Sequence, residues 1–281
     1  MSYYRALGLT QEPFSTSPDP AFFFRSSAHL QALNRLEIAI RLKRGLCLIF
    51  GDVGIGKTTL ARTLIANLQH DEHTVFDLVM DPGGYDSEYQ FLHNLCRMFK
   101  VQPAFKSALD CREAIEHHLF QAGVTDGKTV VLVIDEGQKL SLEMLETLRV
   151  LLNYETNEYK LLQLVIFAQM ELLPRIKRVK NFIDRAALKY IVNPLDEEEA
   201  ARLIQFRLEA AGWRRDAPPL VSPEAVHAIY QHTQGYPRKI ARLCHDALEA
   251  LVMYERSVVD ETTIRELVAH ESRWLEEEHI A

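Results

Sequence analysis

Apolar residues follow two rhythms along this chain. Five short aliphatic or β-branched runs, Leu46 to Phe50, Thr74 to Val79, Thr129 to Ile134, Leu162 to Phe167 and Lys189 to Val192, alternate with longer amphipathic stretches. Short runs separated by helical stretches predict parallel strands buried on both faces by helices. After about residue 195 the runs vanish. Glu197 to Ala211, Pro223 to His232, Arg238 to Tyr254 and Thr262 to Leu275 read as helices, punctuated by Gly212, Pro218, Pro219 and Gly235. Before the first run, three prolines in Glu12 to Pro20 forbid regular helix, an aromatic cluster follows at Phe22, Phe23 and Phe24, and Leu30, Leu33, Ile38 and Leu42 recur at near-helical spacing. The expected organisation is an arm and helix over 1–45 packing on the core, an α/β nucleotide-binding domain over 46–195, and a small all-helical lid over 196–281.

Composition narrows the class without changing this picture. Hydrophobic residues are 47% and charged residues 25% of 281, ordinary globular proportions that exclude disordered and low-complexity classes. Cys47, Cys96, Cys111 and Cys244 form no C-x-x-C pair, so a reduced, cytoplasmic setting is expected. No apolar run approaches the roughly 18 residues that span a bilayer, and the polar amino terminus is unlike a signal peptide, so no direct membrane insertion is expected.

The chemistry is carried first by Gly51-Asp52-Val53-Gly54-Ile55-Gly56-Lys57-Thr58, which satisfies G-x-x-x-x-G-K-[ST] in full between a strand and the helical stretch that starts at Thr59. Glycines let the loop curl so that successive N–H groups face a phosphate, and the helix amino terminus adds positive potential. Lys57 then reaches the β and γ phosphates of ATP, and the Thr58 hydroxyl ligates Mg²⁺. A carboxylate must complete the metal site, and Val130 to Ile134 runs directly into Asp135 and Glu136. Asp135 suits the metal; Glu136 suits activation of the attacking water, because adjacent side chains diverge at a strand end. Seventy-eight positions separate Lys57 from Asp135 with another strand run between them. That spacing predicts a further strand between the two in space, as in additional-strand NTPases, and argues against a GTPase-like switch.

These residues resemble the AAA+ ATPases of the ExeA/GspA kind, whose relatives include pilus-biogenesis ATPases such as MshM and TnsC-type regulators of DNA transposition. The resemblance covers nearly the whole chain. It is carried by Tyr3-Tyr4 through Leu7-Gly8-Leu9, Pro13-Phe14-Ser15, Pro18-Asp19-Pro20, the phosphate loop, Ile134-Asp135-Glu136-Gly137-Gln138, Phe167-Ala168-Gln169-Met170-Glu171-Leu172 and Gly235-Tyr236-Pro237-Arg238. It implies that Gln169 orients the attacking water. It also implies that Arg185 is an arginine finger offered to a neighbouring subunit, with Arg175, Lys177 and Arg178 as competitors, and that Arg238 is a sensor reaching the nucleotide in its own subunit. Phe14 and Phe22 to Phe24 either border the adenine or staple the arm to the core. The sequence departs from its relatives at Gly137, Ala168 and Met170, where Ala, Gly and Pro are common, and at Asn193 in place of Pro. Relatives that act at the cell wall extend further, with a membrane segment and a wall-binding domain, so the stand-alone relatives are the expected guides.

The expected function is therefore a homo-oligomeric ring or filament that hydrolyses ATP to act on secretion or pilus machinery. The alternative is a TnsC-like regulator that binds duplex DNA and recruits a transposase. A small-molecule kinase would use the same loop without needing the Gly-Tyr-Pro-Arg lid. The net charge of −7 does not exclude nucleic acid: residues 196–281 hold 10 Lys plus Arg against 17 Asp plus Glu, whereas 1–195 are balanced at 22 of each. Two basic stretches, Arg41 to Arg44 and Arg175 to Lys180, lie in the balanced part.

Overall fold

The computed structural model describes residues 2–15 and 22–278, with side chains to residue 270. Five parallel strands, β1 (Leu46–Phe50), β2 (Thr74–Val79), β3 (Thr129–Ile134), β4 (Leu162–Ala168) and β5 (Ala186–Ile191), form one sheet in the order β2-β3-β4-β1-β5. The inserted strand is β4. Its register aligns Ala168 with Phe50 on β1 and Ile166 with Ile134 on β3, so the ends of β1 and β3 that carry the phosphate loop and the two acids flank the end of β4. Strands β1 and β4 are buried at every position and β3 at all but its first, because helices cover both faces of a parallel sheet.

The fifth strand differs from expectation. It begins at Ala186 rather than Lys189, with its pairing to β1 interrupted by a register shift between Leu46 and Cys47. Its alternating exposure is that of a sheet edge, and its opening alanines carry no β-branched signal.

The helices are α1 (Tyr3–Ala6), α2 (Ser27–Arg41), α3 (Lys57–Leu68), α4 (Glu88–Met98), α5 (Ala108–Phe120), α6 (Leu142–Leu151), α7 (Leu173–Ile176), α8 (Glu197–Ala210), α9 (Pro223–Thr233), α10 (Pro237–Met253) and α11 (Glu261–Glu278). Side-chain oxygens of Ser87, Ser107, Ser141, Asp196 and Ser222 accept from backbone N–H groups in the first turns of α4, α5, α6, α8 and α9, satisfying donors that a helix start leaves open.

Contacts divide the chain into two units, Ser27–Val53 with Lys57–Val192, and Met1–Ser26 with Gly54–Gly56 and Asn193–Ala281. The core of the first is built on the sheet, from residues such as Leu48, Phe91, Leu132, Leu164 and Phe182. The core of the second is helical, from Leu203, Ile204, Ile229, Ile240, Cys244 and Leu248.

The arm departs from the expectation that 1–45 packs as one piece on the nucleotide-binding core. Only α2 belongs to the sheet unit. Phe14 is 1% exposed inside the helical core, Tyr3, Leu7 and Phe24 pack against that core, and Thr10 donates to Ala211 O through both N (2.8 Å) and Oγ1 (2.9 Å). A bundle of a few short helices has little interior of its own, and the arm's aromatic side chains enlarge it. Burial of Phe14 and Phe22 thus takes the stapling alternative, though on the helical unit. Pro18-Asp19-Pro20 lies outside the described residues. Among the described residues no helix is long and apolar enough to cross a membrane.

Candidate nucleotide site

The phosphate loop leaves β1 at Gly51, whose N–H donates to Ala168 O at 3.2 Å. Gly54 (φ +79°) and Gly56 (φ +102°) take the left-handed conformation, which turns the loop back towards the start of α3. Ile55 is fully buried, while Asp52 and Val53 are exposed. Helix α3 starts at Lys57, two residues before the expected Thr59. Lys57 is 7% exposed, and its Nζ donates to Gly51 O and Asp52 O, each at 2.9 Å, so the ammonium lies along the inside of the loop.

Beside it, the Thr58 hydroxyl donates to Asp135 Oδ2 at 2.6 Å. Asp135 is 1% exposed; its other oxygen accepts the Glu136 N–H at 2.9 Å. Burial pushes its carboxyl above the usual carboxylate range, and these two hydrogen bonds oppose the shift. A hydroxyl and a carboxylate converging at the mouth of a glycine-rich loop are hard oxygen donors of the kind Mg²⁺ takes, so Thr58 and Asp135 fit that ion. The loop itself, two left-handed glycines opening a helix amino terminus, fits a phosphate chain, with Thr59 in the first turn.

Glu136 stands in the left-handed region (φ 52°, ψ 35°). Its Oε2 accepts Gln138 Nε2 at 2.6 Å, and Gln138 Oε1 in turn accepts the backbone N–H of Gln169 at 3.1 Å. Gln169 is therefore joined to Glu136 through its main chain, while its side chain makes no hydrogen bond among the described residues. Sequence reasoning assigned Gln138 no role, since nothing in a strand-end motif says which polar residue closes the turn.

Between the two, Gly137 touches β4 directly. A Cβ there would stand 2.4 Å from Ile166 Cγ2, 3.1 Å from Phe167 O and 3.2 Å from Ala168 Cβ. This gives a steric reading of glycine at 137: the Ile166 methyl already fills the gap, and the Ala168 methyl narrows it further.

The arginines are placed differently from one another. Arg185, in the single turn before β5, donates to Asn153 Oδ1 at 2.5 Å and shares no hydrogen bond with Asp135 or Glu136. Arg175 donates to the carbonyls of Gln138 and of Leu140, the latter at 3.2 Å, and so serves the turn after Glu136. Lys177, Arg178 and Lys180 are exposed and pair with no carboxylate among the described residues. Arg238 opens α10 with its N–H donating to Gly54 O at 3.2 Å, and its stem lies over Gly54 so closely that a Cβ at 54 would meet Arg238 Cβ at 2.8 Å. The turn before it depends on Gly235 (φ +75°), where a Cβ would fall 2.0 Å from Leu195 O.

Residues 40–176 match the family described as AAA domain. General secretion pathway protein A of Aeromonas hydrophila is 32% identical over 251 residues, 88% of this chain, and the chain spans 44% of that protein's length. Among solved structures, ORC2 of Aeropyrum pernix in ADPNP–ADP complexes superposes with a TM-score of 0.64 at 18% identity, covering 92% of this chain and 71% of that one. Cdc6p of Pyrobaculum aerophilum gives 0.65 at 17% identity, covering 88% and 67%. RuvB of Thermotoga maritima gives 0.58 at 16%, covering 91% and 72%. At these identities the structures speak for the fold alone. Residues 40–176 thus carry an AAA domain, and over 88% of its length the chain is related to general secretion pathway protein A.

Proposed function

We propose that this protein is an oligomeric ATPase that binds and hydrolyses ATP with Mg²⁺ to switch the assembly of a partner complex. The observation that carries the reading is the meeting of Thr58 and Asp135 at the mouth of a complete phosphate loop, with Glu136 beside them. The loop N–H groups and Lys57 hold the phosphates, and Arg238, the sensor that the resemblance implies, adds a second positive group. Thr58 and Asp135 would hold Mg²⁺, which supplies charge neutralisation at the phosphate oxygens when bound. Glu136 takes the proton of the attacking water, Gln169 orients that water, and Arg185 of an adjacent subunit stabilises charge on the transferred group. The relative's name, general secretion pathway protein A, supports secretion machinery as the partner.

A TnsC-like reading is favoured by one feature, the exposed cations Lys177, Arg178 and Lys180, which a polyanion backbone would pair. Two experiments test these readings. Lys57→Ala should abolish binding of a fluorescent ATP analogue; retained affinity would remove the loop from the site. Electron microscopy with a non-hydrolysable ATP analogue, with and without duplex DNA, separates the partners. Closed rings indifferent to DNA support the protein-assembly reading, and DNA-threaded rings or filaments support the alternative.

A further inference from the structure

We infer that Gln138 is a positioning residue for ATP hydrolysis, its side-chain amide fixing the Glu136 carboxylate and joining it to the end of β4. The inference rests on the proposed role of Glu136 as base, and its test is arranged so that the two fail separately.

Gln138 is 8% exposed and spends both ends of its amide: Nε2 donates to Glu136 Oε2 at 2.6 Å, and Oε1 accepts the Gln169 N–H at 3.1 Å. An ionised carboxylate only accepts and a backbone N–H only donates, so a single orientation of the amide satisfies both partners. An amide side chain presents a donor and an acceptor on one small rigid plane, and glutamine has the length that this turn uses. The bond to a charged acceptor is of the stronger, charge-assisted kind.

The backbone that carries this amide is itself held on several sides. Arg175 Nη1 donates to the Gln138 carbonyl and to Leu140 O. Lys139 Nζ reaches Asp81 Oδ2 at 2.5 Å, tying the turn to the loop after β2. Gly137 presses against Ile166, Phe167 and Ala168 without space for a methyl group. Glu136 needs such support, because its left-handed backbone is a conformation that persists in non-glycine residues only when surroundings over-determine it. A general base acts through a fixed approach to the proton it removes, and a displacement of about 1 Å can cost on the order of 100-fold in rate. Gln138 therefore sets where the Glu136 carboxylate stands, and it makes the base and the strand end bearing Gln169 a single body.

The test uses the full chain and steady-state ATP hydrolysis. Gln138→Met keeps length and bulk while removing both hydrogen bonds. Gln138→Glu keeps an acceptor for the Gln169 N–H but sets a carboxylate against Glu136. Each should lower kcat by about 10- to 100-fold, the glutamate substitution at least as much as the methionine one, with KM and analogue affinity changed less than about twofold. In a Glu136→Gln background neither substitution should lower the residual rate further, since a residue acting through Glu136 has nothing left to position. A rise in KM at unchanged kcat, an increase in kcat, or losses that multiply with Glu136→Gln would overturn the inference. If Gln138→Met does not fold, Gln138→Glu decides alone. If Glu136→Gln by itself turns over like the parent protein, the reading of Glu136 as base fails, whatever the Gln138 variants do.

Discussion

Three glycines with different surroundings make the packing of the site measurable. At Gly84 a Cβ would meet nothing within 4 Å and the backbone is not left-handed, so Gly84→Ala should be neutral or stabilise by up to about 1 kcal/mol through the unfolded chain. At Gly137 the methyl would sit 2.4 Å from Ile166 Cγ2, where carbon atoms prefer about 3.5–4.0 Å, so more than an ångström must be found. Ile166, Phe167 and Ala168 are fully buried in a strand paired on both sides and cannot supply it, so the turn itself must lift, at about 1–3 kcal/mol. At Gly235 two costs combine: a left-handed backbone, about 1–2 kcal/mol for alanine, and a Cβ only 2.0 Å from the Leu195 carbonyl oxygen. Leu195 N donates to Gly235 O at 3.0 Å, which locks the two backbones, so the sum is on the order of 2–5 kcal/mol. Urea unfolding reads all three. Far-ultraviolet dichroism follows both units, whereas both tryptophans, Trp213 and Trp274, lie in the sequence of the helical unit. Gly235→Ala should move the fluorescence transition, and Gly137→Ala should move the dichroism transition more than the fluorescence one. Equal stability of the Gly84 and Gly137 variants, or a loss under about 1 kcal/mol at Gly235, would refute this account of the turns.

Asp135→Asn should leave the ligand-free protein as stable as the parent or more so, because it removes a buried charge while an amide still accepts the Glu136 N–H and the Thr58 hydroxyl rotates to accept; Mg²⁺-dependent hydrolysis should fall at least about 100-fold. A destabilisation above about 1 kcal/mol in thermal melts would contradict that. Mixing Arg185→Ala with Glu136→Gln protein should restore part of the activity that each variant alone lacks, measured as phosphate release. No recovery at any ratio would count against a site shared between subunits.

Much of this was legible in the sequence, and the physical reasons differ by element. Strands β1, β3 and β4 announced themselves because strands buried on both faces are continuous apolar runs, β2 showed as a β-branched run at the sheet edge, and the long interval between Lys57 and Asp135 foretold the inserted β4. The start of β5 did not, since an edge strand opening on Ala186 and Ala187 has neither the run nor the branching. The arm's Phe14 and Phe22 called for burial, but apolarity does not say against what, and the surface that took them formed from helices nearly 200 positions away. At the site, the phosphate loop and the two acids carry spacing constraints that survive in one dimension. The closure of the turn by Gln138, the clamp from Arg175 and the missing methyl at Gly137 are three-dimensional fits between segments about 30 to 40 residues apart.

The central claim is that this site hydrolyses ATP with Glu136 as the base. Glu136→Gln, incubated with Mg²⁺ and radiolabelled ATP and then separated from free nucleotide, tests it most directly. The parent protein should release phosphate and retain ADP, while the variant binds ATP with similar affinity and retains it uncleaved. Recovery of ADP and phosphate from the variant at the parent's rate would contradict it.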